Sequence, residues 1–477
     1  MLQEGSGVMG KITGAYIFPH PPIVIPEIGR GEEKSAYRTI EAMRKAAQDI
    51  KSDRPDTIIV TTPHGPVFQD YIYISTYRKL SGDMGRFGRE DVRMEYDNNT
   101  ELVQRIIDYS RDMGIPCGGL EDGIMKKYNI SPDLDHGAMV PLYFVNKEFS
   151  SFKLVHIAIA GLPFSDLYRF GKCIAKAVED SQESVVFLAS GDLSHKLSPE
   201  APYGYNKHGR EYDELLVNCG ETLDVERLLE LDEGFCEEAG ECGLRSFLMM
   251  FGALDRYQLK SEIYSYEGPF GVGYSVAKIL VGEKKSESNI LERVENRKKQ
   301  RIDELRKNED AYVALARLSL ETYVRNKEIV KPPDNLPAEM LENRAGVFVS
   351  IKKNGQLRGC IGTISPVRKN IAEEIIYNAI SSGTEDPRFY SVEEDELSEL
   401  VYSVDVLKKP QPINSMDELD VKRYGVIVRA GRKSGLLLPN LEGVDTPEEQ
   451  VSIALKKAGI SPDEEYKMER FEVVRHK

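Results

Sequence analysis

The sequence predicts two domains of different class. Residues 10–282 read as an α/β domain, a mixed sheet flanked by helices, and residues 308–477 as an α+β domain. Three observations carry this reading. Strand and helix patterns alternate through the first stretch. A run of charge at 283–307 then interrupts the apolar patterning. After it come a hairpin signal and short mixed elements. A chain of 477 residues is also longer than one ordinary domain.

The first strand is 13–18, an apolar run closed by Pro19-His20-Pro21-Pro22. Residues 32–51 place Ala36, Ile40, Met43, Ala47 and Ile50 at the helical period. TIIVTT at 57–62 reads as a strand buried on both faces, ended by Pro63-His64-Gly65-Pro66. Residues 153–160, 184–189 and 274–280 are further strands, and 167–178 and 239–256 are helices. The charged run 283–307 reads as a partly helical linker. In the second domain, 312–325, 370–382 and 446–458 are helices, and 400–407 and 425–429 are strands. Residues 347–364 form a hairpin with Asn354-Gly355 at its tip, because both residues accept φ > 0 in a type I′ turn.

Composition narrows the function. Lys+Arg is 63 against Asp+Glu 78, a net charge of −15. Such a chain repels phosphate backbones, so nucleic acid is not an expected partner. The longest apolar runs, 154–162 and 185–189, fall short of a membrane span, so no membrane is expected either. The N-terminal MLQEGSGVMGK lacks the apolar core of a secretory signal. Six cysteines with no C-x-x-C pair suit a cytoplasmic location.

The histidines are the chemical signal. His20, His64 and His195 each follow a predicted strand. In open α/β sheets, ligands bind at the carboxyl ends of strands, so the three can converge. Converging imidazoles serve metal ligation or proton transfer. Two imidazoles and one carboxylate can hold a divalent iron with one face open. Glu241 is the carboxylate candidate, at a predicted helix start. The adjacent Cys242 is its rival and would favour a softer ion. His136 opens a helix in Asp135-His136-Gly137. His156 reads as a core histidine inside a strand, and His208 as a loop residue able to line a pocket mouth.

Four segments together carry a resemblance: Phe18-Pro19-His20-Pro21-Pro22; Thr62-Pro63-His64-Gly65; Leu134-Asp135-His136-Gly137 with Val140-Pro141-Leu142; and Ser190-Gly191-Asp192-Leu193-Ser194-His195. Over 10–282 they resemble the class III extradiol dioxygenase (LigB-like) superfamily and its relative, the Memo family. The resemblance implies that His20 and His64 bind non-haem Fe(II), with Glu241 or Cys242 as third ligand and zinc or copper as alternative metals. It implies His195 as the acid/base, His136 as a histidine beside the ligands or the substrate, and Asp192 as the aspartate that Memo proteins place before that base. The implied reaction opens the ring of a small catechol- or aminophenol-like substrate with O₂. The alternative is a non-dioxygenase metal or redox component. Paired subunits are common among these dioxygenases, so a homo-oligomer is compatible with the resemblance.

In the second domain, Leu357-Arg358-Gly359-Cys360-Ile361-Gly362, Asp386-Pro387-Arg388-Phe389 and Gly431-Arg432 with its following residues to Pro439 resemble the AMMECR family. The joined layout resembles the AmmeMemoRadiSam system protein A family, which implies radical SAM and Memo-like protein partners. A two-residue turn at Asn354-Gly355 sets Ile351 opposite Arg358 and Val349 opposite Cys360. Cys360 then lies on an aliphatic face as an inert thiol, or acts as a nucleophile or redox thiol activated by Arg358. Arg358, Arg388 and Arg432 either form an anion site or pair with nearby acids.

Overall fold

The computed structural model describes residues 9–286, 288–441 and 443–477. Most of the N-terminal run read above for a secretory signal therefore lies outside the described residues, as does Glu287 of the charged stretch. The chain divides into two compact units, Met1–Glu295 and Asn296–Lys477.

The strands of the first unit are β1 (Lys11–Phe18), β2 (Thr57–Thr62), β3 (Ile72–Tyr73), β4 (Lys79–Met84), β5 (Arg89–Asp97), β6 (Cys117–Gly118), β7 (Lys153–Ala158), β8 (Ser184–Ser190), β9 (Tyr257–Glu267) and β10 (Tyr274–Lys284). Six of them form one sheet in the order β7-β2-β8-β1-β10-β9. The first four are mutually parallel, and β10 and β9 add antiparallel. This is the mixed sheet expected. Alternation along each strand divides its side chains between two cores. Ile12, Ala15, Ile17, Ile59, Val185 and Phe187 enter one, with the helices Phe164–Glu179 and Leu244–Ala253. Tyr16, Phe18, Ile58, Val60, Val186 and Leu188 enter the other, with the helices Tyr37–Asp53 and His136–Glu148. Helices on both faces leave the strand ends as the place for a site. β1, β2, β7 and β8 all finish at the same edge.

The helix read over 239–256 touches two: Ala239 is the last residue of Glu233–Ala239, and the rest of the range holds the helix Leu244–Ala253. Gly240, at φ 65°, ends the first. His208 is not in a loop: it lies in the first turn of the helix Lys207–Thr222, with Nδ1 2.8 Å from Glu211 and Nε2 3.1 Å from Glu238. The charged run carries the helix Ile290–Asn308. Val294 is buried in the core of the first unit, and in the second unit Arg306 donates to Leu397 O at 2.7 Å.

The second unit contains β11 (Val347–Lys353), β12 (Gln356–Gly362), β13 (Leu400–Leu407), β14 (Gln411–Ile413), β15 (Gly425–Ala430), β16 (Lys433–Leu437), β17 (Lys467–Phe471) and β18 (Val473–His476). They make two sheets, β12-β11-β13-β18 and β14-β17-β15-β16. The helices Ala311–Asn326 and Ile371–Thr384 cover the first, and Pro447–Ala458 covers the second. Asn354 and Gly355 have φ of 54° and 84°, as the hairpin tip requires.

The register of that hairpin differs from the expected one. Lys353 faces Gln356, but the ladder shifts between Lys352 and Ile351, so Ile351 faces Gly359 and Ser350 faces Cys360. The extra residue is Arg358, a β-bulge. One residue of slip moves a side chain to the other face. Cys360 therefore leaves the aliphatic face of Val347, Val349 and Ile351. It is half-buried, with Sγ 3.2 Å from Ser350 Oγ. Arg358 does not activate it, because its guanidinium is spent on Glu396 through two bonds of 3.0 and 2.8 Å. Arg388 likewise pairs with Asp386, at 2.9 and 2.6 Å. The anion site imagined from these arginines therefore loses two of its three members to carboxylates. His476 stacks on Tyr312 and pairs with Asp310.

Candidate metal centre

His20 follows β1, His64 follows β2, and Asp192 and His195 follow β8. Cys242 comes from the other direction, in the turn before the helix Leu244–Ala253. Two glycines allow that approach. A Cβ on Gly191 would lie 2.1 Å from Gly243 Cα, so only bare backbone lets the two turns touch. There Asp192 N–H meets Cys242 Sγ at 3.3 Å.

The donors converge. His20 Nε2 is 2.9 Å from His64 Nε2 and 3.6 Å from Cys242 Sγ. Among the described residues, two groups of metal-binding side chains have ligand atoms all within 4.8 Å of one another: His20, His64 and Cys242, and Asp192, His195 and Cys242. Glu241 is in neither. Its carboxylate accepts the Leu244 N–H, the first of the helix, at 2.8 Å. The sequence reading put Glu241 first; the structure brings its neighbour to the histidines instead.

The protonation states fit a cation. Burial holds both His20 and His64 down at about 4, with Asp192 only partly offsetting this at His20. Both rings are thus neutral near pH 7, the form that ligates metal. The tautomer of His20 is also set. Ser190 Oγ donates to Gly137 O, so it must accept from His20 Nδ1, 2.9 Å away. That leaves the Nε2 lone pair aimed at His64 and Cys242. Burial, with Asp192 and Glu241 adding to it, raises the Cys242 thiol well above its ordinary value. An ion at this point would supply the charge that releases the proton.

Asp192 ties His20 to His195. It accepts the His20 backbone N–H at 2.9 Å, and Oδ2 lies 3.8 Å from His20 Nε2 and 3.7 Å from His195 Nε2. His195 Nδ1 donates to Gly240 O at 2.5 Å, which leaves its Nε2 on the side of Asp192. Burial lowers its basicity, yet Asp192 and the Gly240 carbonyl outweigh this and raise it. His136 stacks on His64 with ring centroids 4.1 Å apart. Burial, the charge of His20 and more weakly that of Arg86 keep it at about 4.

Some supporting residues were not singled out from the sequence. Asp135 caps the helix that begins at His136, accepts from Thr62 Oγ1 at 2.6 Å and meets His156 Nε2 at 2.9 Å. Its place just before a helix was the available signal. Asp213 accepts the Ser194 N–H at 2.8 Å and steadies the turn that carries His195. No local pattern marks it.

The family model described as "Catalytic LigB subunit of aromatic ring-opening dioxygenase" matches residues 14–277, more than half of the chain. The chain belongs to the LigB family. An AMMECR1 domain follows at residues 313–476, so this LigB member is a fusion. A Clostridium acetobutylicum protein is 48% identical over 468 residues, 98% of this chain and 99% of its own length. A Thermotoga maritima protein is 48% identical over 171 residues, 35% of this chain but 98% of its own length. A crystal structure of the uncharacterized protein PH0010 from Pyrococcus horikoshii covers 34% of this chain and 88% of its own, at 34% identity and a TM-score of 0.33. In this LigB domain His20, His64 and Cys242 form one of two side-chain groups that could hold a metal ion.

Proposed function

We propose that the first unit is a metalloenzyme that binds a small catechol- or aminophenol-like substrate as its anion and opens its ring with O₂. The observation that supports this is the convergence of His20, His64 and Cys242 beside His195 and Asp192. The three would hold one divalent ion, Fe(II) in this reading. When bound, that ion would supply charge for the substrate's oxygens and an open position for O₂. His195 Nε2 takes the hydroxyl proton, since its other nitrogen is committed to Gly240 O. Asp192 stabilises the resulting imidazolium and keeps the ring in place. The same imidazolium then returns its proton to the product.

A second reading is favoured by Cys242. A thiolate in place of a carboxylate suits zinc or copper better than iron. The unit would then be a non-dioxygenase metal or redox component, working in the cytoplasm with radical SAM and Memo-like partner proteins.

Metal analysis of anaerobically purified protein distinguishes the two. About one Fe(II) per chain, with O₂ uptake on adding catechols, supports ring opening. Zinc or copper without O₂ uptake supports the second reading. In either case His20→Ala, His64→Ala and Cys242→Ser should lose the ion and Glu241→Gln should keep it. Full occupancy in His20→Ala would overturn both.

A further inference from the structure

His156 lies on β7 and is 1% exposed, as expected of a core histidine. The partner it finds is a carboxylate: Nε2 lies 2.9 Å from Asp135 Oδ2. Burial pushes the Asp135 carboxyl up, but the bonds from His156 and Thr62 outweigh it and hold it below the usual carboxylate range. An ionised carboxyl only accepts, so Nε2 carries the proton and donates it. Nδ1 has no hydrogen-bond partner among the described residues. Ser75 N–H donates to His156 O at 3.1 Å, which sets Ser75 opposite His156 on the same face, and the buried Ser75 hydroxyl also lacks a partner. Those two atoms suit an internal water. Asp135 is then the protein group that fixes the ring.

Asp135 is also a junction. Its Oδ1 accepts from Thr62 Oγ1 at 2.6 Å and from the Ala138 N–H at 3.2 Å. Thr62 Oγ1 in turn accepts the His64 N–H at 3.2 Å. The chain from His156 therefore ends at the backbone of His64 on one branch and in the first turn of the helix His136–Glu148 on the other. Two glycines let it close. A Cβ on Gly65 would lie 2.9 Å from Ala158 Cβ and 3.5 Å from His156 Cε1. One on Gly137 would lie 2.3 Å from Thr62 Oγ1 and 3.3 Å from His64 Cδ2. The residues that follow His64 and His136 thus press directly on this chain of bonds. A buried polar pair gains little over apolar residues of the same volume, because desolvation offsets its attraction. What this pair supplies is direction, since one carboxylate fixes both branches.

We propose that His156 is a positioning residue, which through Asp135 and Thr62 sets the His64 ring against His20 and keeps His136 stacked on it. This rests on the metal reading above. The test uses the full chain with cobalt(II) alone as the probe. Chelator competition gives the affinity, the visible bands report ligand geometry, and thermal melts of metal-free protein report stability. His156→Leu and Thr62→Val should each weaken cobalt binding about tenfold and shift the bands, the lower end of the cost of losing support behind a ligand. The double variant should also lose about tenfold, since both changes cut one chain, whereas independent effects would multiply to about a hundredfold. His156→Gln returns an N–H donor and should recover most of the affinity and the bands. A histidine that serves only packing would lower the melting temperature and leave both metal readouts alone. Should His156→Leu not fold, Thr62→Val, of nearly equal volume, decides. Unchanged affinity in Thr62→Val, or losses that multiply in the double variant, overturns the proposal while the metal reading stands. Wild type that binds no cobalt overturns both.

Discussion

His20 can offer a lone pair at Nε2 only while its Nδ1 proton has an acceptor. Ser190 Oγ is that acceptor, because its own proton goes to Gly137 O. Ser190→Ala removes it and leaves the ring free to flip or change tautomer. Chelator competition should then show metal affinity about 10- to 100-fold weaker, the usual cost of losing a ligand's hydrogen-bond partner. Ser190→Thr keeps the hydroxyl and should retain most of the affinity. Unchanged affinity in the alanine variant would show that the tautomer is set elsewhere. The strand-end places of His20, His64 and His195 were legible from apolar runs closed by Pro, Gly and Ser. The choice between Glu241 and Cys242 was not. It depends on where a helix starts to within one residue, and Gly240 and Gly243 push that start to Leu244. Only there does the carboxylate at 241 accept the helix's first N–H.

At the scale of elements, patterning read the first unit well wherever a strand is buried on both faces, as TIIVTT is. It missed β4, β5 and β9, whose faces are mixed. Partly exposed antiparallel strands follow their neighbours more than their own composition. The hairpin of β11 and β12 shows the same limit. Its turn was legible from Asn354-Gly355, but its bulge was not, because nothing local marks Arg358 as the extra residue. The bulge has a pH signature. Burial pushes the Glu396 carboxyl up, but Arg358, the Glu393 N–H and, more weakly, Lys353 outweigh it and hold it at about 2, below its ordinary 4.5. A carboxyl depressed in the folded state adds stability above its unfolded pKa, and this is lost as pH falls through its folded one. The contribution is therefore complete above about 4.5 and disappears toward 2. Thermal melts of wild type and Glu396→Gln should differ at pH 7 by about 1 kcal/mol or less, as for a partly solvated pair. The two should converge on acidification through that window. A constant difference would mean that Glu396 acts through packing and not through charge.

Across the whole molecule, each unit has its own core. One is built on the six-stranded sheet, and the other on the two smaller sheets and their helices. The sequence showed this division as a loss of apolar patterning between two patterned stretches, although it could not show that Val294 and Arg306 each pack within their own unit. Units with separate cores unfold in separate steps. Calorimetry of the full chain should therefore show two transitions. All the candidate ligands lie before residue 295, so metal should stabilise one transition only. At a free metal concentration 100 times the dissociation constant, binding contributes about 2.7 kcal/mol, or roughly 5 °C in a unit of this size. Chelation should lower that transition by this amount and leave the other in place. His20→Ala should give the same low value with or without chelator. A chelator that moved both transitions equally would show that the two units unfold as one, and one that moved neither would remove the metal from the account altogether.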